Sequence, residues 1–138
     1  MTTKKTTTKK SVFDFKTIKT IEDAFTKCGY DSTKLPEVLG IPEKFRKQLI
    51  DCFLLMIVFE AINDGWEPDF SNHNQGKYYP WPWVSSSGFG FSHSHYGYGH
   101  ALTFVGSRLC TDTREKALYI LDQFPDLWKS WLLNVTTK

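Results

Sequence analysis

The spacing of apolar residues in the first part of the chain predicts a short helix. Ile21, Ala24 and Phe25 lie three and four positions apart, which is typical of the buried stripe of an amphipathic helix. Thr20 precedes this stripe and can cap the helix, and Gly29 follows it and can adopt the left-handed conformation that stops a helix. Such a stripe has to pack against another element.

A second, longer helix is predicted over residues 42–64, since Pro42 suits a first helical position and Gly65 suits a stop. Its first half is amphipathic through Phe45, Leu49 and Phe53. Residues 52–59 are apolar on every side, which is typical of a helix surrounded by protein. We expect this helix to be the centre of the core, with five deeply buried side chains: Leu54, Leu55, Ile57, Val58 and Ile62.

Residues 77–84 and 88–95 are predicted to form two strands of a hairpin, because alternate positions share a character and residues 85–87 have the length of a hairpin loop. One face of this hairpin is aromatic and also carries two histidines. Its members are Tyr79, Trp81, Trp83, Phe89, Phe91, His93 and His95. The opposite face of the second strand has only glycine and serine, including Ser92 and Ser94, so we expect it to lie against a helix or a ligand.

The last part of the chain predicts one more strand, over residues 104–110, and two more helices. Asp112 followed by Glu115 is the pattern of a capped helix, which runs to about Phe124. Pro125 separates it from a final helix over residues 126–133. This order of elements predicts an α+β fold, in which a central buried helix packs with N- and C-terminal helices against a small antiparallel sheet of two to three strands.

Composition and charge divide the chain into a tail and a single domain. The 138 residues are 41% hydrophobic, which excludes full disorder. The net charge is +2, but residues 1–19 alone carry +5, so residues 20–138 carry −3. We therefore expect a disordered basic tail over residues 1–17 and one α+β domain over residues 18–138. The lysines of the tail could contact DNA through its phosphates: Lys4, Lys5, Lys9 and Lys10.

The longest apolar run has eight residues, far fewer than the roughly 20 that a membrane-spanning helix needs, so no membrane partner is expected. The lysine-rich start is not followed by the apolar stretch of a secretory signal, and we expect a cytoplasmic protein. Three widely separated cysteines, Cys28, Cys52 and Cys110, indicate reduced thiols rather than disulfides.

Two sets of side chains could bind a ligand or a metal. The imidazoles of His93 and His95 project to one face of a strand and could supply two ligands of a zinc site, although the remaining ligands have no assigned position. The aromatic face of the hairpin could stack on a planar ligand or could simply cover the core. Arg108, next to the turn at Gly106-Ser107, could bind a phosphate or carboxylate, or pair with Asp112 or Glu115. No nucleophile motif occurs, so we expect a protein that is not an enzyme and needs no cofactor.

Five short motifs resemble a known family over roughly residues 18–134. They are Ile18-Lys19-Thr20-Ile21-Glu22-Asp23-Ala24, Lys77-Tyr78-Tyr79-Pro80-Trp81, Ser87-Gly88-Phe89-Gly90-Phe91, Val105-Gly106-Ser107-Arg108-Leu109-Cys110 and Gln123-Phe124. The chain is similar to the short uncharacterised proteins found in phages and mobile elements of Bacteroidetes bacteria. The resemblance implies a genomic setting and little chemistry, since that family has no established activity.

Three functions follow as hypotheses. The first is a non-catalytic binding protein of phage or mobile-element origin, whose aromatic hairpin holds a nucleotide-like ligand or a partner protein. Its expected binding residues are Tyr79, Trp81, Trp83, Phe89, Phe91, Ser92, Ser94 and Arg108. The second is a structural protein of the virion or capsid interior, whose basic tail contacts DNA. The third is a zinc-binding module on His93 and His95, and the oligomeric state stays open.

Overall fold

The computed structural model describes residues 12–85, 88–99 and 107–133, with side chains described for residues 12–80 and 108–133. Its helices are α1 (Ile21–Cys28), α2 (Glu43–Asn63), α3 (Arg114–Gln123) and α4 (Pro125–Leu133). Its strands are β1 (Lys77–Ser85) and β2 (Gly88–Gly99). Two short 3₁₀ turns are formed by Phe15–Thr17 and Ser107–Leu109.

The predicted boundaries of α1 are confirmed by its hydrogen bonds. The Thr20 hydroxyl accepts a hydrogen bond from the Asp23 backbone N–H, and the Asp23 carboxylate accepts one from the Thr20 backbone N–H, both at 3.1 Å. At the other end Gly29 has a φ of 74°, the left-handed conformation expected of a helix stop. This helix buries Ala24 and Phe25 against α2.

The central helix α2 is buried on one side only. Leu55, Ile57, Val58 and Ile62 are buried as predicted, whereas Leu54 is only partly buried. The expectation that protein surrounds residues 52–59 is wrong within this chain, because Met56 is 39% exposed. The reason is geometric: α1, α3, α4 and the 3₁₀ turns all pack on the buried side of α2 and leave the face that carries Met56 open.

The core is made where helices meet. The ring of Phe59 on α2 contacts Trp128 on α4 edge to face, with centroids 6.1 Å apart. The segment before α1 joins this core, because Phe15 packs edge to face on Tyr119 at 5.4 Å and the Tyr119 hydroxyl donates to the Ile18 carbonyl at 2.6 Å. Phe13 also packs against the core, so the folded chain includes residues that the sequence assigns to the tail.

Strands β1 and β2 pair antiparallel, with Tyr78 opposite Tyr98 and Trp81 opposite His95. The register shifts after Trp81, and Trp83 lies opposite Gly90. The Tyr78 N–H donates to the Thr111 carbonyl at 2.9 Å and the Thr111 N–H donates to the Tyr78 carbonyl at 2.7 Å. Backbone bonds therefore tie the start of β1 to the segment that leads into α3.

The α+β prediction is wrong, because 56% of the residues whose side chains are described are helical. Among the residues 12–80 and 108–133, strand structure is confined to residues 77–80. Every buried member of the apolar core cluster described there comes from a helix, a 3₁₀ turn or a residue beside one. The alternation of residues 77–95 suggested a sheet that would form a core layer, whereas the described core is closed by helix against helix.

The end of the chain departs from prediction in two details. The third strand is wrong over its described part, where Ser107–Leu109 is a 3₁₀ turn that buries Leu109 in the helical core. Helix α3 is capped by Thr113 rather than Asp112, since the Thr113 hydroxyl accepts from the Lys116 N–H at 3.2 Å. None of the described helices is both long enough and apolar enough to cross a bilayer.

Candidate protein-binding surface

A groove of about 920 Å³ opens beside the C-terminal half of α2. Its walls come from four segments: the end of α1 with the loop after it, the outer face of α2, the segment after α2, and the 3₁₀ turn that carries Arg108. Its apolar lining consists of Phe25, Phe53, Met56, Ile57, Trp66 and Pro68. The groove therefore offers an apolar floor between exposed polar edges.

The edges of the groove carry more negative than positive charge. The Tyr30 hydroxyl donates to Glu60 Oε1 at 2.8 Å, and this hydrogen bond to the carboxylate raises the pKa of Tyr30. Arg108 Nη1 lies 3.9 Å from Glu67 Oε1, and both side chains are largely exposed. With Asp31 and Lys34 included, three carboxylates face two cations around the groove.

The outer face of α2 continues the apolar surface towards the start of the helix. Phe45, Leu49 and Met56 are 45%, 46% and 39% exposed, and Cys52 between them is partly buried. These four residues, which we call the α2 stripe, are spaced four, three and four positions apart, the spacing of a helix seam that packs against another helix. The stripe runs for about 16 Å along the helix at 1.5 Å per residue.

The two ends of the stripe differ in charge and in shape. At the amino end the Lys44 ammonium lies 4.9 Å from the centroid of the Phe45 ring. The Arg46 guanidinium donates to the carbonyls of Ile41 at 2.7 Å and Leu39 at 3.0 Å, which fixes the loop that carries the 85% exposed Leu39 side chain. The carboxyl end instead leads to Glu60 and the groove. One end is thus basic and projecting, and the other is acidic and concave.

Asn63 holds the groove's far wall in place. Its side chain is 8% exposed, and Nδ2 donates to the Cys110 carbonyl at 2.8 Å, which ties the segment bearing Arg108 to the end of α2. Oδ1 of Asn63 has no hydrogen-bond partner within the described part of the chain. The amide therefore acts as a structural link between two walls of the groove.

The thiols near this surface are not activated as nucleophiles. Burial raises the pKa of Cys28 to about 11, and its Sγ lies 3.7 Å from the Ile57 carbonyl oxygen. Burial also raises the pKa of Cys52. Both thiols are therefore protonated near neutral pH, and protonated thiols are poor nucleophiles.

The ligand residues expected from the sequence are only partly described. Arg108 lies at the edge of the groove, whereas Tyr79 is 6% exposed and packs inside the molecule. Burial raises the pKa of its phenol. The other expected ligand residues have side chains outside the described set: Trp81, Trp83, Phe89, Phe91, Ser92 and Ser94.

The expected zinc and DNA contacts also lie beyond the described side chains. His93 and His95 belong to β2, of which only the backbone is described, and Lys4, Lys5, Lys9 and Lys10 lie outside the described residues. Within the described part, no three histidine, cysteine, aspartate or glutamate side chains are grouped so that they could hold a metal ion.

Sequence reasoning missed the residues that make this surface. The pattern indicates an amphipathic first half of the helix through Phe45, Leu49 and Phe53 but does not show that this side stays open, and it does not single out Tyr30 or Trp66. The available signal was that α2 has apolar residues on more sides than the other helices of a small domain can bury. Comparison with known proteins finds no matching family model, curated protein or solved structure.

Proposed function

We propose that this chain is a non-catalytic protein-binding module, and that the α2 stripe and the groove act as one continuous binding surface. The observation that carries the proposal is the half-exposed row of Phe45, Leu49 and Met56, which leads directly into the groove. Contiguous apolar patches of this kind mark interaction surfaces in monomeric proteins, because leaving them in water is unfavourable.

A protein partner fits this surface better than a small anionic ligand does. The stripe is convex and lies on a helix, so it suits another helix or an extended segment rather than a molecule enclosed in a pocket. In the groove the guanidinium of Arg108 already faces Glu67, and carboxylates outnumber cations. An anionic ligand would therefore gain little electrostatic attraction there.

The proposal is tested by selecting peptides from a displayed random library on the full chain and measuring their affinity by fluorescence polarisation. We expect enriched amphipathic peptides whose binding is lost in Met56→Glu and Leu49→Glu, because a charge would then be buried without a partner. Thr26→Glu, on the exposed side of α1, is the matched control and should bind normally.

Two results would overturn the proposal. One is a selection in which enriched peptides bind Met56→Glu and Leu49→Glu as well as they bind the wild type. The other is a nucleotide or cyclic dinucleotide that raises the melting temperature and loses this effect in Arg108→Ala, with no peptide enriched. That second outcome would establish the planar-ligand function instead.

A further inference from the structure

We infer that the partner on this surface is a second copy of the same chain, with the two α2 helices antiparallel about a two-fold axis between Cys52 and Phe53. The inference rests on the proposed function and names its partner. It is carried by the opposite character of the two ends of the α2 stripe, which makes the surface complementary to itself.

The charges match in this arrangement. Arg46 and Glu60 lie seven positions before and seven positions after Phe53, and this spacing of two turns puts both on the same side of α2 as Phe53. An antiparallel pairing therefore places Arg46 close to the partner's Glu60, and the two-fold axis repeats the same contact at the other end of the pair. A parallel pairing would instead place like charges together at both ends, which opposes association.

The apolar residues match in a register that differs from this one by half a residue. Leu49 and Met56 lie at equal distances along the chain from the point between Cys52 and Phe53. Leu49 is thus opposite the partner's Met56, and the spacing of the stripe lets the side chains interdigitate as in a two-helix seam. This one contact buries the exposed surface of both side chains.

The shapes of the two ends match as well. In an antiparallel pair, the loop before one α2 helix passes over the segment that follows the other α2 helix. The projecting Leu39 of the partner subunit then reaches the groove, whose apolar floor includes Trp66. A second copy of the chain carries all three matching features, which are the basic amino end of α2, the α2 stripe and the projecting Leu39. An unrelated helix would need to have each of them independently.

The first test measures the association constant of the full chain by sedimentation equilibrium. We expect a wild-type dimer, a loss of about tenfold in affinity for Arg46→Glu and for Glu60→Lys, and recovery in the double variant, because only the double variant restores opposite charges. Arg46→Gln loses the hydrogen bonds to the Leu39 and Ile41 carbonyls without reversing the charge, so it measures the contribution of the loop alone. Glu22→Lys, an exposed charge change on α1, is the matched control and should leave the affinity unchanged.

The second test determines the direction of pairing by oxidative cross-linking in a Cys52→Ser background. A mixture of Leu49→Cys and Met56→Cys chains should form a mixed disulfide, whereas each chain alone should form little. The Cys52→Ser chain without a new cysteine is the control for the two native thiols that remain, Cys28 and Cys110.

The outcomes separate the inference from the proposed function. A wild-type chain that stays monomeric at about 100 μM, or that cross-links Leu49→Cys to itself, overturns the antiparallel dimer. If selected peptides still bind in a Met56-dependent way, the protein-binding function stands and its partner is another protein. A monomer that also selects no peptide overturns both.

Discussion

Single side chains set the limits of the helices that frame the binding surface. Thr20 and Asp23 satisfy the first backbone N–H groups of α1, and Gly29 supplies the left-handed turn that ends it. These effects are local, since they depend on residues within one turn of the chain. For that reason the sequence predicted both ends of α1 correctly, whereas no local signal placed Trp66 or Tyr30 beside a groove.

At this scale we expect the stabilising effect of the Asp23 carboxylate to depend on pH. The Lys19 backbone N–H, followed by the Thr20 backbone N–H and hydroxyl, holds the pKa of Asp23 below its ordinary value of 3.8, despite an opposing effect of desolvation. A carboxyl whose pKa is lower in the folded state stabilises the fold above its unfolded pKa and loses that effect as pH falls through its folded pKa. Asp23→Asn should therefore be less stable than wild type near pH 7 and equal to it well below pH 3.8.

Urea unfolding at several pH values measures this dependence. Glu22→Gln, at the neighbouring exposed position of α1, serves as the control. A difference between wild type and Asp23→Asn that stays constant down to pH about 2 would contradict the prediction.

We also expect the Cys28 thiol to react slowly. Because burial raises its pKa to about 11, alkylation by iodoacetamide near pH 8 should be more than about tenfold slower in the folded chain than in urea. Peptide mapping by mass spectrometry separates this thiol from Cys52 and Cys110. Equal rates in the folded and unfolded chain would show that the thiol is not buried.

At the scale of elements, α2 combines two faces that look alike in the sequence. Phe59 is fully buried against Trp128, whereas Met56, three positions earlier, is half-exposed on the α2 stripe. Both side chains are apolar, so their position relative to α1 and α4 decides which of them belongs to the core. Hydropathy correctly predicted a long central helix but could not predict which of its faces stays open.

The two faces should respond differently to truncation. Phe59→Ala should reduce the free energy of unfolding by about 3 to 5 kcal/mol, because it removes a ring from the core and leaves a cavity. Met56→Ala should reduce it by only about 1 kcal/mol, since part of that side chain is already in water. Guanidinium unfolding at low protein concentration measures both, and similar losses for the two variants would contradict the assignment of faces.

The turn after α1 gives a second prediction at this scale. Gly29 has a positive φ, so Gly29→Ala should destabilise the chain by about 1 kcal/mol even though no atom lies within 4 Å of the added methyl group. Gly40 also has open space around it but no positive φ, and Gly40→Ala is the matched control. If thermal unfolding shows equal effects for both variants, backbone strain is not the cause.

At the scale of the whole molecule, the arrangement of the described helices leaves the α2 stripe uncovered. The described core closes through contacts of α2 with α1, α4 and Leu109, while the α2 stripe stays open. Stability of the chain should then depend on its partner. For an antiparallel dimer we expect the melting temperature to rise by about 2 °C for each tenfold increase in protein concentration, because dissociation is linked to unfolding.

Differential scanning calorimetry between about 1 and 100 μM tests this expectation. Leu49→Glu should melt at one temperature across the whole range, since it cannot bury its charge in the pair. A wild-type melting temperature that does not change with concentration would argue against the dimer and would leave the peptide-binding function to be judged by selection.

The sequence by itself determined the helices of this protein and the caps of α1, because capping, helix periodicity and the left-handed glycine act between residues that are close along the chain. For Arg108 it left open an anionic ligand or a pairing with Asp112 or Glu115, and it did not point to Glu67, whose carboxylate lies 3.9 Å from the guanidinium. Only the tertiary structure decided that helices close the described core, that the outer face of α2 stays open and that Arg108 lies beside a groove. Those features depend on which segments distant in sequence pack together. The pattern of apolar residues along the chain does not specify which segments these are.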